Sequence, residues 1–443
     1  VMLPKGWAEA TVEELAGAAG YVSDGDWIES KDQNPLGEVR LIQLADIGVG
    51  RFINKSARFL TKDTALRLKC SKLKQGDVLI ARMPDPIGRA CIFPGLDQDA
   101  ITVVDVLLWR SDCTLALPAW FEKWFNSPTV QERMKFEATG TTRQRVAGGR
   151  IKNMCFPFPP LAEQRRIVAK LDSLTARIAR TRVELKRVKK NANQVKIATL
   201  QKAFHWNSKN LPSGWARKKI GEIGEVQLGR QRSPKDHFGP HMRPYVRSAN
   251  ITWDGWDLSD VKEMNFSPEE FEVFKLKSGD VLLNEGSGSP SEVGKPAIWK
   301  GEIDNVCFQN TVLRVRSDAF SPELLRYVLL FLARTGAFIK NTQGVNIIHI
   351  GKAGLSRTYI PVPPISEQPK ILKEIHAGFD AANRLEHEAD RSLILLDRLE
   401  SSLLAKAFRG ELVPQDPNDE PASILLERIR AERAAKPKTR KRK

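Results

Sequence analysis

The side chains of this 443-residue chain that are placed to do chemistry are hydrogen-bond donors on polar loops, not nucleophiles or metal ligands. The run Thr139-Gly140-Thr141-Thr142-Arg143-Gln144-Arg145 sets hydroxyl, amide and guanidinium groups side by side. Those groups can read base edges and hold phosphate oxygens. Thr342-Gln343-Gly344-Val345-Asn346 is a second such run. Two loops that follow Gly-Asp-Val-Leu segments add Arg82, Met83 and Arg89 in one place and Glu285, Ser287, Ser289 and Lys295 in another. Gln43, Arg247 and Asn250 complete the set of candidate contact residues.

Catalytic patterns are missing. The loop from Gly286 to Lys295 has the outline of a phosphate-binding loop, yet Ser289 stands where the first glycine belongs and Pro296 replaces the hydroxyl residue after the lysine. The sequence has no G-x-S-x-G elbow, no H-E-x-x-H and no G-x-G-x-x-G leading into a helix. An adenine-methylating Asn/Asp-Pro-Pro-Phe/Tyr motif is absent too; Asn34-Pro35-Leu36 is the nearest string. His237 and His241 have i, i+4 spacing but lie among Gly239, Pro240 and Pro244, where no helix would align them on a metal. The five cysteines are scattered, without a C-x-x-C pair, and read as free thiols. No long apolar run or secretory pattern is seen, so a cytoplasmic protein is expected.

The elements that must position these loops come in duplicate. Leu3-Pro4-x-Gly6-Trp7-Ala8 recurs as Leu211-Pro212-x-Gly214-Trp215-Ala216, and Leu73-Lys74-x-Gly76-Asp77-Val78-Leu79 as Leu276-Lys277-x-Gly279-Asp280-Val281-Leu282. From Gly140 and Gly344 onward the offset holds at 204, through Pro159-Pro160 and Pro363-Pro364, Glu163-Gln164 and Glu367-Gln368, and Ala203-Phe204 and Ala407-Phe408. Earlier it drifts between 203 and 208, as loops between strands allow.

After each Pro-Pro pair the apolar period turns helical. Ile167, Leu171, Leu174, Ile178, Thr181, Leu185, Val188, Ala192, Val195 and Thr199 mark one stripe, and Ile371, Ile375, Gly378, Ala382, Leu385, Ala389, Ser392, Leu396, Leu399 and Leu403 mark its copy in the same register. A stripe this long and narrow suits a partner helix, so an antiparallel coiled coil with pseudo-twofold symmetry and one domain at each end is expected. Short alternating segments among Gly and Pro turns, with helical periods at 117–135 and 322–340, make each domain α+β with a bent β-sheet core.

The net charge of +17 favours a polyanionic partner. Residues 161–210 carry 13 basic and 3 acidic side chains, so most of the excess lies on the first long helix, with Arg180, Lys186, Arg187 and Lys190 on its basic face. The second, over residues 361–410, carries 7 basic and 8 acidic, too few net negatives to cancel that excess. The basic face is therefore expected to meet a polyanion or an acidic partner.

The paired Pro-x-Pro-Pro-x-x-Glu-Gln motifs, the Leu-Pro-x-Gly-Trp openings, the Gly-Asp-Val-Leu segments and the ending Ala407-Phe408-Arg409-Gly410-Glu411-Leu412-Val413-Pro414 resemble the specificity subunit of type I restriction-modification systems, over nearly the whole chain. The resemblance implies target-recognition domains at 1–158 and 209–362, spacer helices at 159–208 and 363–410, a C-terminal segment with a short helix at 411–435, and a basic tail at 436–443. It implies a non-catalytic subunit that binds double-stranded DNA, two methyltransferase (modification) subunits and restriction subunits. S-adenosylmethionine, ATP and magnesium would belong to those partners. A self-contained modification enzyme conflicts with the missing adenine motif, and a pure scaffold leaves the differing polar loops unexplained.

Overall fold

A computed structural model describes residues 3–435 except 142, 207, 235–236, 288, 290–291 and 340–347. The chain forms two compact units, Val1–Glu184 with Ser392–Lys443, and Leu185–Arg391. Each unit holds one β-rich domain and about half of each long helix.

The duplication extends to strand order. In the first domain a four-stranded antiparallel sheet runs Tyr21–Asp24, Val106–Arg110, Val78–Ala81, Ala90–Ile92. In the second it runs Glu225–Leu228, Val312–Arg316, Val281–Asn284, Pro296–Ile298. The end registers match, Tyr21 facing Arg110 and Glu225 facing Arg316. A three-stranded sheet with one parallel pair accompanies each: Val39–Ile42 beside Ala100–Thr102, and Met242–Val246 beside Cys307–Phe308. A two-stranded clasp, Ala8–Thr11 on Cys155–Phe158 and Ala216–Lys219 on Tyr359–Val362, ties the start of each domain to its end. Among the described residues the expected bent sheet is thus divided among three small sheets in the first domain, and the second adds to these the two-stranded pairs Ile251–Thr252 with Gly255–Trp256 and Gly286–Ser287 with Ile348–His349.

The repeated motifs form the joints. Gly76 and Gly279 take φ of 91° and 93°, a turn that side chains resist, and the following aspartates close it. Asp77 accepts the Lys74 amide at 2.6 Å and grips Arg110 from the neighbouring strand. Asp280 accepts the Lys277 amide at 2.8 Å and grips Arg316. Both carboxylates are buried, and each would cost several kcal/mol, on the order of 3–5, if its arginine were removed.

Trp7 donates its indole N–H to Glu163 at 3.1 Å, and Trp215 does the same to Glu367 at 2.9 Å. Gln164 accepts the Leu117 amide and donates to the carbonyls of Leu115 and Pro159, while Gln368 accepts the Ser321 amide and donates to Ala319. The Gly-Trp and Glu-Gln motifs are therefore two sides of one latch that fixes each long helix to its domain.

The first long helix is Leu161–Ala203 and the second Gln368–Ala407, the latter preceded by a 3-10 turn, Ile365–Glu367, where Pro369 withholds an amide. They run antiparallel. Arg182 reaches Asp397 and Glu400 within one unit, and Lys189 reaches Asp390 and Lys196 reaches Glu386 within the other. Ile167 and Leu171 are buried in the first domain's core with Trp120 and Phe121, and Ile371 and Ile375 in the second's. Leu385 and Leu399, placed in the seam by periodicity, are about half exposed.

The helical period at 117–135 is two helices, Pro118–Phe125 and Pro128–Phe136. Pro128 cannot continue the first, and Asn126 turns aside to bond both backbone groups of Ala90. Its counterpart, without such a proline, is one helix, Pro322–Arg334. The C-terminal helix, Ala422–Ala435, buries Ala422, Leu426 and Ile429 in the first domain's core. Arg430 binds Glu14 there, and Arg433 binds the carbonyls of Glu13 and Gly17. The basic tail lies outside the described residues.

Candidate nucleic-acid interface

In the first domain the loop after Thr139 is a tight hairpin. Thr139 and Arg145 exchange backbone hydrogen bonds of 3.0 and 2.9 Å, and Gly140 takes φ of 106°, where a Cβ would lie 2.7 Å from the Arg143 carbonyl. The turn leaves Thr141, Arg143 and Gln144 exposed, while Arg145 makes an ion pair with Asp105 at 3.4 Å. Thr142 lies outside the described residues.

This hairpin forms one wall of an open cleft of about 730 Å³. Arg143 and Arg145 meet Gln43 and Met83 there, so candidates from three separate stretches of sequence line one concavity. The cleft also holds Trp27, 70% exposed, which the sequence reading passed over. The available signal was a tryptophan directly after Gly25-Asp26, outside any helical or alternating apolar pattern.

Arg82 and Arg89 correct the expectation that they reach DNA. Both are buried. Arg82 donates to the Val146 and Val104 carbonyls and pairs with Asp24, anchoring the base of the hairpin. Arg89 donates to the carbonyls of Ile47, Met83, Pro86 and Leu44, which holds the loop carrying Met83 against the turn after Gln43. These donors are committed to backbone oxygens that would otherwise be buried without partners.

In the second domain Gln343 and Asn346 lie outside the described residues. Beside that segment Gly286–Ser287 pairs with Ile348–His349, and His349 bonds Glu285 at 2.6 Å. Ser287 accepts the Ser289 amide, and Ser289 is exposed. Arg247, half-buried, binds Asp260 at 2.6 Å. Two further candidates are corrected. Asn250 is buried and ties its own turn, accepting the Arg247 amide and donating to the carbonyls of Asp257 and Asp260. Lys295 is buried and paired with Glu292, which also accepts the Trp253 indole N–H.

On the first long helix Arg180, Lys186, Arg187 and Lys190 are all exposed, and Arg182, Lys189 and Lys196 pair with acids of the second. The helix pairing therefore absorbs part of the excess charge. Among the described residues no three His, Cys, Asp or Glu side chains converge as a metal site, and no helix is long and apolar enough to cross a membrane.

The family model for the type I restriction modification DNA specificity domain matches residues 4–190 and again 212–393. The chain belongs to that family. It is a type I specificity subunit with two DNA-specificity domains, and such subunits select sequence without catalysing a reaction. It is 30% identical over 304 residues to the EcoKI specificity subunit of Escherichia coli K12, an alignment that spans 63% of this chain and 64% of that protein. It is 26% identical over 340 residues to the StySPI specificity subunit of Salmonella potsdam, spanning 72% of each. In fold it resembles the HsdS subunit of Thermoanaerobacter tengcongensis, with a TM-score of 0.56 and 21% identity over 93% of this chain and 99% of that one. A chain from a structural study of type I assembly and conformational transition gives a TM-score of 0.70 at 21% identity, over 93% of this chain and all of that one.

Proposed function

We propose that the specificity subunit reads a bipartite DNA target, residues 1–158 reading one half and 209–362 the other. The paired helices set the unread spacer and dock two modification subunits. The observation that carries this reading is one fold used twice with different polar side chains on matching loops, as two unlike half-sites require. In the first domain the reading set is Thr141, Thr142, Arg143, Gln144, Arg145, Gln43 and Met83, with Trp27 beside them. In the second it is Gln343, Asn346, Ser287, Ser289 and Arg247.

Docking of modification subunits on the helices is supported by apolar side chains that neither domain covers. Val183, Ile394 and Leu395 are 64%, 54% and 53% exposed. S-adenosylmethionine would then be held by the modification subunits, and ATP with magnesium by the restriction subunits.

Selection from a random-sequence duplex library by the full chain, alone and with its modification subunits, tests the proposal. Two enriched half-sites at fixed separation are expected; enrichment of a single continuous site, or of none, would refute it.

A further inference from the structure

Both domains display one large apolar side chain at the same place in the fold. The loop between the first edge strand and the three-stranded sheet carries Leu36 in the first domain and Phe238 in the second, 92% and 87% exposed. Each stands directly before a glycine, in Lys31-Asp32-Gln33-Asn34-Pro35-Leu36-Gly37 and Lys235-Asp236-His237-Phe238-Gly239. The apolar character persists although the residue and the loop length do not.

Each side chain is presented by a built turn. Asn34 donates its amide to the Phe59 carbonyl, accepts the Leu36 amide on its side chain at 2.9 Å and accepts the Gly37 amide on its carbonyl at 2.9 Å. Gly37 presses on the neighbouring strand so closely that a Cβ would lie 2.2 Å from the Leu60 carbonyl oxygen. In the second domain a Cβ on Gly239 would lie 2.3 Å from Asn265, whose side chain accepts the His241 amide. Such anchoring holds Leu36 and Phe238 out in water, a placement that folding alone does not reward.

The loop of the first domain also begins at the cleft, because Trp27 on it shares that cavity with Gln43, Arg143 and Arg145. An apolar side chain beside a polar reading surface suits the minor groove, where leucine and phenylalanine wedge between base steps and kink the duplex.

We infer that Leu36 and Phe238 are a pair of DNA wedges, each inserted between base steps at the half-site its own domain reads. The inference rests on the proposed reading of DNA. Wedging adds sequence preference at steps that unstack easily, without a hydrogen bond to any base.

The test uses the full chain and the duplex it enriches from a random library, with 2-aminopurine placed in turn along each half-site. Wild type is expected to raise the fluorescence at one position per half-site. Leu36→Ser should abolish the signal in one half-site only, Phe238→Ser in the other, each weakening binding roughly tenfold. Leu36→Phe and Phe238→Leu should retain both. Unchanged affinity and fluorescence in the serine variants would overturn the wedges while leaving DNA reading intact. So would loss of modification-subunit binding with DNA binding preserved. If wild type enriches no duplex, DNA reading and the wedges fall together.

Discussion

Glu163 shows how one side chain links sequence motif, packing and stability. Burial pushes its carboxyl up to about 7, although the Trp7 indole and Arg166 act in the other direction. A raised folded value means that the folded protein holds the proton more tightly than the unfolded chain. The stabilisation is present below the ordinary carboxyl range and is lost as pH rises through about 7. Glu163→Gln, which keeps an acceptor for Trp7, should remove that dependence. Its stability relative to wild type is expected to rise between pH 5 and 8 by up to about 3 kcal/mol, read by thermal melts across that range. On the hairpin, Arg143→Ala and Arg145→Ala should each weaken binding to the selected duplex by about 1–3 kcal/mol and relax preference at one position. Unaltered affinity and preference would remove them from the reading set. At Arg82 and Arg89 the effect should differ in kind, because truncation leaves several carbonyls unsatisfied, at about 1–3 kcal/mol each, and lowers the melting temperature first.

At the scale of elements, what was legible in the sequence was whatever carries a period or a repeat. The 204-residue offset and the four-and-three spacing located both long helices, because a helix registers its partner in every turn. The Gly-Asp-Val-Leu repeat located a strand in each domain for a similar reason: Asp77 and Asp280 need the preceding glycine to turn. Strand order was not legible, since the small sheets are joined by loops, and their pairings depend on distant partners such as Arg110 with Asp77. Nor could periodicity separate inward from outward arginines. Arg82, Arg89 and Arg143 are alike in sequence, and only three-dimensional neighbours decide which are committed to carbonyls. The same limit applied to helix charge, where Arg182, Lys189 and Lys196 found acidic partners across the pair. Arg180, Lys186, Arg187 and Lys190 remain on the outer surface. Neutralising these four should flatten the salt dependence of DNA binding if they face phosphates, each lost contact reducing the log–log slope by about 0.9. An unchanged slope would assign the face to a protein partner.

For the whole molecule, the account is of two reading domains on one ruler. The latches support it: Trp7 with Glu163 and Trp215 with Glu367 fix each domain to the start of a continuous helix, so that length added to the helix is not absorbed at the joint. The first helix, 43 residues long, measures about 64 Å at about 1.5 Å per residue, enough to span more than one turn of DNA at about 34 Å. Inserting one heptad into both helices, at matched positions in their paired stretch, preserves the seam and lengthens the ruler. Selection of duplexes by that variant measures the claim most directly. The same two half-sites are expected with a spacer longer by up to about three base pairs, from about 1.5 Å per residue against about 3.4 Å per base pair. Binding to the original site with its spacer unchanged would contradict it.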